Sequence, residues 1–149
     1  DLQVNGYKGV SFTDINLTYE SCLNVIKEYF FDSECEKILP TVITTSLEVY
    51  ENVLPILAKI VKEFPTQIPG IHLEGPFISK ECKGAHDEQY IKEIDIEFME
   101  KLIKLSDNTI KLITIAAELK HAKPFTRYCG THGIKVSLGH QMANLQQLS

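Results

Sequence analysis

The stretch Ile71-His72-Leu73-Glu74-Gly75-Pro76-Phe77 decides how this chain folds. The apolar residues at 71 and 73 indicate a buried strand. Gly75 and Pro76 end that strand, because Pro has no backbone N–H for a strand ladder and Gly favours a turn. Glu74 is therefore predicted to stand at the carboxyl end of a strand. On position alone a solvated turn residue is the commoner explanation, and a metal ligand or general base is the alternative.

Strand-like and helix-like segments alternate on both sides of this stretch. Apolar or β-branched density predicts further strands at residues 1–5, 37–46, 110–117 and 134–138. Helical spacing of apolar residues predicts helices at residues 19–31, 47–64, 95–105 and 121–129, with the start of another at 141–149. Near-continuous apolar strands that alternate with helices predict a parallel sheet covered by helices.

Local signals set the limits of the first two helices. Thr18 and Ser46 are predicted N-caps. Pro55 is the misfit in the second helix, and we expect it to kink that helix or to delay its start.

Two arrangements of such a sheet compete, an open doubly wound sheet and part of an eight-stranded barrel. No glycine-rich phosphate loop follows any predicted strand, which disfavours a nucleotide-binding open sheet. Polar residues stand at the ends of successive strands, namely Gln3, Asn5, Thr44, Glu74, Glu118 and His140. They favour a barrel, because the mouth of a barrel is built from the carboxyl ends of its strands.

The predicted fold class is therefore α/β, a parallel (β/α) TIM-type barrel present as roughly its first five β/α units. Five strands cannot close a barrel of eight and would leave two open sheet edges. We expect residues 1–149 to form part of a barrel domain, the front part of a longer polypeptide.

Composition excludes several classes of function. The formal net charge is −5 and no cluster of Lys and Arg stands out, so nucleic acid is not an expected partner. No apolar run approaches the ~20 residues of a membrane span. The four cysteines, Cys22, Cys35, Cys82 and Cys129, form no Cys-x-x-Cys pair. They are interpreted as free thiols in a reducing compartment, and we expect a cytoplasmic protein.

Glu74 and His140 are the candidate metal ligands. Each ends a different predicted strand on the same edge of the sheet, and carboxylate oxygen with imidazole nitrogen suits Zn²⁺ and Fe²⁺. A catalytic zinc site needs about three protein ligands and an open position. His86 lies in a long polar loop after Glu74, where functional residues are frequent, although a solvated loop histidine remains the alternative. Both strand-end residues could also be incidental in a plain structural domain.

Five segments together resemble the N-acetylglucosamine-6-phosphate deacetylase family of the amidohydrolase superfamily, in order and over the whole chain. They are residues 1–6, 39–44, Gly70 to Phe77, Lys83-Gly84-Ala85-His86, and Val136 to His140. The run His-Leu-Glu-Gly-Pro-Phe followed by Gly-Ala-His is the most specific part.

The resemblance implies roles for particular residues. Glu74 matches the family's metal-binding glutamate, and His140 matches the first of its two metal-binding histidines. Ala85 and His86 match loop positions that contact the amino sugar. Gln3 and Asn5 fall where other amidohydrolases bind a second metal through a His-x-His pair, and they are typical of single-metal members. Glu118 is interpreted as a structural acid at a strand end.

The implied reaction is hydrolysis of N-acetylglucosamine 6-phosphate to glucosamine 6-phosphate and acetate, by a water that one divalent ion, Zn or Fe, activates. The second histidine ligand, a general-base Asp, the remaining strands and a flanking small β domain would lie beyond Ser149. The 149 residues alone are therefore expected to be inactive, and the full-length protein to be a homodimer. A sugar-phosphate-binding protein without turnover and a plain α/β structural domain are the rival hypotheses.

The chain also departs from the family pattern at three places. Ala117 stands where the family has Pro in a run Ala-Pro-Glu. Gln141 follows His140 where a small hydroxyl residue is commoner. The segment 33–37, ahead of the second predicted strand, lacks the usual glycine.

Overall fold

A computed structural model describes residues 1–148. The strands are Gly6–Tyr7 (β1), Val10–Ser11 (β2), Thr41–Ile43 (β3), Ile71–Glu74 (β4), Ile110–Ile115 (β5) and Lys135–Leu138 (β6). The helices are Tyr19–Asp32 (α1), Leu47–Glu63 (α2), Ile96–Leu105 (α3), Ala122–Thr131 (α4) and Leu145–Leu148 (α5), with a 3₁₀ turn at Glu88–Tyr90.

The main sheet is parallel, and its strands follow chain order, β3-β4-β5-β6. This confirms the prediction of an α/β fold with a parallel sheet. In the register of the sheet, Glu74 lies opposite Ile43 on one side and Thr114 on the other. The carboxyl ends of the strands therefore meet at one edge.

The predicted first strand is reduced to a single parallel bridge between Val4 and Pro40. The Val4 N–H donates to the Leu39 carbonyl, and the Thr41 N–H donates to the Val4 carbonyl. Val4 is buried, whereas Leu2 is exposed. The first residues thus run beside β3 as the next neighbour in sheet order, without a regular ladder.

Residues 6–11 form a short antiparallel hairpin, β1 with β2. Lys8 and Gly9 at its turn both have positive φ, as a type I′ hairpin turn requires. Gly6 is needed because a Cβ there would lie 2.1 Å from the Val10 carbonyl oxygen.

Both predicted N-caps are confirmed. The Thr18 side chain accepts from the Ser21 N–H, and the Ser46 side chain accepts from the Val49 N–H. Pro55 lies inside α2, which begins directly after Ser46. Of the two expectations for Pro55, a delayed start of this helix is therefore wrong, and a kink stays a prediction.

The two faces of the sheet differ in chemistry. Ile71 and Leu73 belong to the apolar core, as strand alternation requires. The helices cover this face in one layer, in which α2 packs against both α1 and α3. His72 on the other face contacts the hydroxyls of Thr41 and Thr114, so that face is polar although it is buried.

All four cysteines are free thiols, as predicted. Cys22 and Cys129 are buried, and Cys35 and Cys82 are half-buried. Within residues 1–148, no helix combines the length and the apolar character that crossing a bilayer requires.

Candidate metal centre

Glu74 is buried at the carboxyl end of β4, with 8% of its surface exposed. The Thr44 hydroxyl donates to its backbone carbonyl, and the Gly75 N–H donates to the Thr114 carbonyl. Gly75 has a φ of 84°, and a Cβ at this position would lie 2.2 Å from Thr44 Oγ1. Only glycine therefore lets the chain turn here and present the Glu74 carboxylate at the strand end.

His140 follows β6 in the left-handed backbone region, with a φ of 50°. Its carbonyl accepts from the Ser79 N–H at 2.9 Å. Its Nδ1 lies 2.9 Å from the Cys82 carbonyl oxygen, and its Nε2 lies 3.0 Å from Glu74 Oε1. The loop after β4 thus holds the imidazole so that Nε2 faces the carboxylate.

The partners of the His140 ring restrict its chemistry. Both the Cys82 carbonyl and an ionised Glu74 carboxylate can only accept hydrogen bonds. Nδ1 must therefore carry a proton. Nε2 must then either carry a second proton or direct its lone pair at a cation that the carboxylate also binds. A backbone carbonyl on Nδ1 is the usual way in which proteins orient a histidine that binds a metal through Nε2.

His86 is the third titratable group beside the Glu74 carboxylate. It is 4% exposed, and its N–H closes a turn by donating to the Lys83 carbonyl. Its Nε2 lies 3.9 Å from Glu74 Oε1, and its ring centroid lies 4.5 Å from that of His140. Its Nδ1 is buried and has no hydrogen-bond partner among the described residues. A buried nitrogen of this kind is available to a ligand.

Gln3 completes the surroundings of the carboxylate. Its Nε2 donates to Glu74 Oε2 at 2.9 Å, which leaves Oε1 directed at the two histidines. His86, followed by His140 and Gln3, lowers the pKa of the Glu74 carboxyl to about 2, against the opposing effect of burial. Glu74 is therefore an anion throughout the physiological pH range.

Glu74, His86 and His140 each offer a ligand atom, and these atoms all lie within 4.8 Å of one another. Donor atoms about 2.1 Å from a tetrahedral Zn²⁺ are roughly 3.4 Å apart. The spacing and the oxygen and nitrogen donor set therefore fit a small divalent ion.

The structure does not bring every predicted site residue into this group. Asn5 and Ala85 are exposed, and their side chains make no described contact with Glu74. Glu118 lies at the same edge of the sheet, where its Oε1 accepts from the Met142 N–H.

His72 supports the site by linking the first residues of the chain to β4 and β5, and the sequence did not predict this role. Its Nδ1 donates to the Leu2 carbonyl at 2.9 Å, and its Nε2 accepts from the Thr114 hydroxyl at 2.8 Å. It thereby ties the segment that carries Gln3 to β4, and burial lowers its pKa so that the neutral ring is favoured. The signal was its position two residues before Glu74, which places both side chains on one face of the strand.

Several curated proteins that are similar to this chain carry the same name. N-acetylglucosamine-6-phosphate deacetylase from Bos taurus is 33% identical over 148 residues, which cover 97% of this chain and 36% of that protein. The protein of the same name from Haemophilus influenzae is 36% identical over 149 residues, 98% of this chain and 37% of that protein. No protein-family model matches the chain. The chain spans only about 36% of the length of the curated relatives that it matches.

Solved structures point to the same proteins. N-acetylglucosamine-6-phosphate deacetylase from Pasteurella multocida superposes with a TM-score of 0.85 at 33% identity, over 99% of this chain and 38% of that one. A Mycobacterium smegmatis deacetylase, solved in complex with N-acetyl-D-glucosamine-6-phosphate, has a TM-score of 0.87 at 24% identity, which supports the fold alone. Over nearly its whole length, this chain is therefore homologous to part of the N-acetylglucosamine-6-phosphate deacetylases, as its motifs predicted.

Proposed function

We propose that this chain forms about the first five β/α units of a TIM-type (β/α) barrel whose mouth binds one divalent ion, Zn²⁺ or Fe²⁺. The polypeptide that contains it would hydrolyse N-acetylglucosamine 6-phosphate to glucosamine 6-phosphate and acetate. Sheet order supports the barrel: the strands are parallel and sequential, and the helices that cover them lie in one layer.

One observation carries the metal site. Both ring nitrogens of His140 face groups that only accept hydrogen bonds, the Cys82 carbonyl and the Glu74 carboxylate. A divalent ion held by Glu74 and His140 would account for this arrangement with a neutral imidazole. Glu74 and His140 are thus the proposed ligands.

A bound divalent ion supplies two effects to amide hydrolysis, polarisation of the acetamide carbonyl and activation of a water molecule. Gln3 fixes the second oxygen of Glu74 and keeps Oε1 available. The Cys82 carbonyl holds His140 in one tautomer. His86, with its unpartnered Nδ1, is proposed to hydrogen-bond the amino-sugar substrate, and Ala85 beside it to line the sugar site.

Other parts of the machinery are assigned outside these residues. The second histidine ligand, the Asp that moves the proton from water to the departing amine, the remaining strands and a small β domain would come from sequence after Ser149. Gln3 and Asn5 are proposed to be vestiges of a second metal site, which amide side chains serve less well than imidazole. We further propose a homodimer in the cytoplasm, where four free thiols are stable.

The test is acetate release from N-acetylglucosamine 6-phosphate by the natural full-length polypeptide. We expect release that a chelator abolishes and that Zn²⁺ or Fe²⁺ restores, and no release from Glu74→Gln. Sugar binding without acetate release would instead support the binding protein. A metal content that Glu74→Gln leaves unchanged would overturn the metal site and support the plain structural domain.

A further inference from the structure

Two hydrogen bonds join the end of β5 to the residues that follow His140. The Ala117 N–H donates to Gln141 Oε1 at 3.1 Å, and the Met142 N–H donates to Glu118 Oε1 at 2.7 Å. They lie just beyond the last backbone bond of the β5–β6 pair, from the Gly139 N–H to the Ile115 carbonyl at 3.1 Å. Side chains thus continue the connection between the two strands after the backbone ladder has ended.

These two hydrogen bonds hold the backbone directly after His140, whose own conformation is unfavourable. With a φ of 50°, His140 occupies a backbone region that is unfavourable for a residue with a Cβ, and such a conformation persists only where the surroundings hold it. Ser79 and Cys82 hold His140 from the loop after β4. The bonds Ala117–Gln141 and Met142–Glu118 attach the two residues after His140 to the segment that follows β5.

The first bond requires a backbone N–H at position 117 and a long side chain with an acceptor at position 141. With Pro at position 117 there would be no N–H to donate. A short hydroxyl side chain at position 141 lacks the reach and the amide oxygen of Gln. This chain has both the donor, at Ala117, and the acceptor, at Gln141, and the two meet at 3.1 Å.

We infer that Gln141 and Glu118 are positioning residues, and that Ala117 and Gln141 are a matched pair that holds His140 for metal binding. We call the bonds Ala117–Gln141 and Met142–Glu118 the clamp. The clamp positions His140 by holding the backbone of the two residues that follow it. This inference rests on the proposed metal role of His140.

The test measures Zn²⁺ affinity of the folded full-length polypeptide by competition with a chelating dye. Gln141→Met removes the acceptor at nearly constant length, and Ala117→Pro removes the donor. We expect each to weaken Zn²⁺ binding about two- to tenfold, the range for loss of one hydrogen bond. Adding Ala117→Pro to Gln141→Met should then have no further effect, since the bond is already gone.

A control separates positioning from general loss of stability. Val61→Ala in α2 is remote from the site and removes buried apolar surface, so it should lower the unfolding midpoint while Zn²⁺ affinity stays unchanged. Gln141→Glu retains an acceptor and should restore most of the affinity. If Ala117→Pro does not fold, the comparison of Gln141→Met with Gln141→Glu decides.

The outcomes distinguish the clamp from the metal site itself. Zn²⁺ affinity unchanged in Gln141→Met, with a metal-binding parent protein, would overturn the clamp and leave the proposed function standing. Equal losses in Gln141→Met and Val61→Ala would also overturn it. A parent protein that binds no Zn²⁺ would overturn both proposals.

Discussion

His140 Nε2 lies 3.0 Å from Glu74 Oε1, although the two residues are 66 positions apart, one at the end of β4 and the other just after β6, and these strands are not neighbours. β5 lies between β4 and β6, with Thr114 in register between Glu74 and Ser137. The chain after β6 therefore has to turn back over β5 before the imidazole can reach the carboxylate. The glycine before His140 and the left-handed backbone at His140 make this turn.

Gly139→Ala should disturb the path by which the chain after β6 brings His140 to Glu74. A Cβ at position 139 would lie 2.8 Å from Thr114 Cγ2, and the Thr114 hydroxyl is bonded to His72. We expect a loss of about 1–3 kcal/mol in the free energy of unfolding, as for overpacked sites, together with weaker metal binding. Urea unfolding and a dye competition measure the two effects.

Gly130→Ala is the matched control for this substitution. Gly130 lies inside α4, and a Cβ there would meet no atom within 4 Å. Ala in a helix should stabilise the protein by about 0.4–1 kcal/mol. Equal unfolding midpoints for the two alanine variants would contradict the close approach of Gly139 to β5.

Gln3→Met should weaken metal binding without unfolding the protein. It removes the amide that bonds Glu74 Oε2, which frees the carboxylate to rotate away from the histidines. A hydrogen bond to a charged group contributes about 1.5–3 kcal/mol, and because Gln3 is exposed we expect the lower end, roughly a tenfold loss of affinity. Asn5→Ala is the control, since its exposed side chain makes no described contact. A similar loss in both variants would argue against a specific role for Gln3.

Site residues could be predicted from the sequence where the signal is local, and not where the contact joins residues far apart in the chain. Glu74 was predictable because a local signal, Gly-Pro after an apolar pair, ends its strand. The bond from Cys82 to His140 and the bond from Gln3 to Glu74 join distant parts of the chain, and no local pattern encodes them.

The fold shows the same division. The N-caps at Thr18 and Ser46 depend on neighbouring residues and were predicted correctly. The first segment was predicted as a regular strand from its alternation, yet only Val4 pairs with Pro40. Whether an edge segment forms a regular ladder depends on its partner strand. The alternation of apolar and polar residues in one segment carries no information about that partner.

Thiol reactivity should divide the four cysteines into two pairs. Burial raises the pKa of Cys22 to about 12 and that of Cys129 to about 11, so both thiols stay protonated and shielded at neutral pH. Cys35 and Cys82 are only half-buried. We expect Ellman's reagent to modify two thiols quickly in the native protein and the other two only on unfolding. Fast modification of Cys22 or Cys129, mapped by mass spectrometry, would contradict the burial of these side chains.

Acid should selectively weaken the interactions of Glu74 in the metal-free protein. Its carboxyl has a pKa of about 2 in the folded state, chiefly because of His86, against an ordinary value of 4.5. A lowered carboxyl pKa stabilises the folded state at pH values above 4.5, and this contribution is lost as the pH falls from about 4.5 to about 2. Glu74→Gln cannot ionise and lacks this contribution at every pH.

The difference in unfolding free energy between the parent protein and Glu74→Gln should therefore shrink as the pH falls through this range. Urea unfolding at a series of pH values, with chelator present, measures it. A carboxyl with an ordinary pKa would produce no change in the difference, because it would bind protons equally in the folded and unfolded states. A constant difference down to pH values near the folded-state pKa would thus show that the histidines do not hold Glu74 in its charged form.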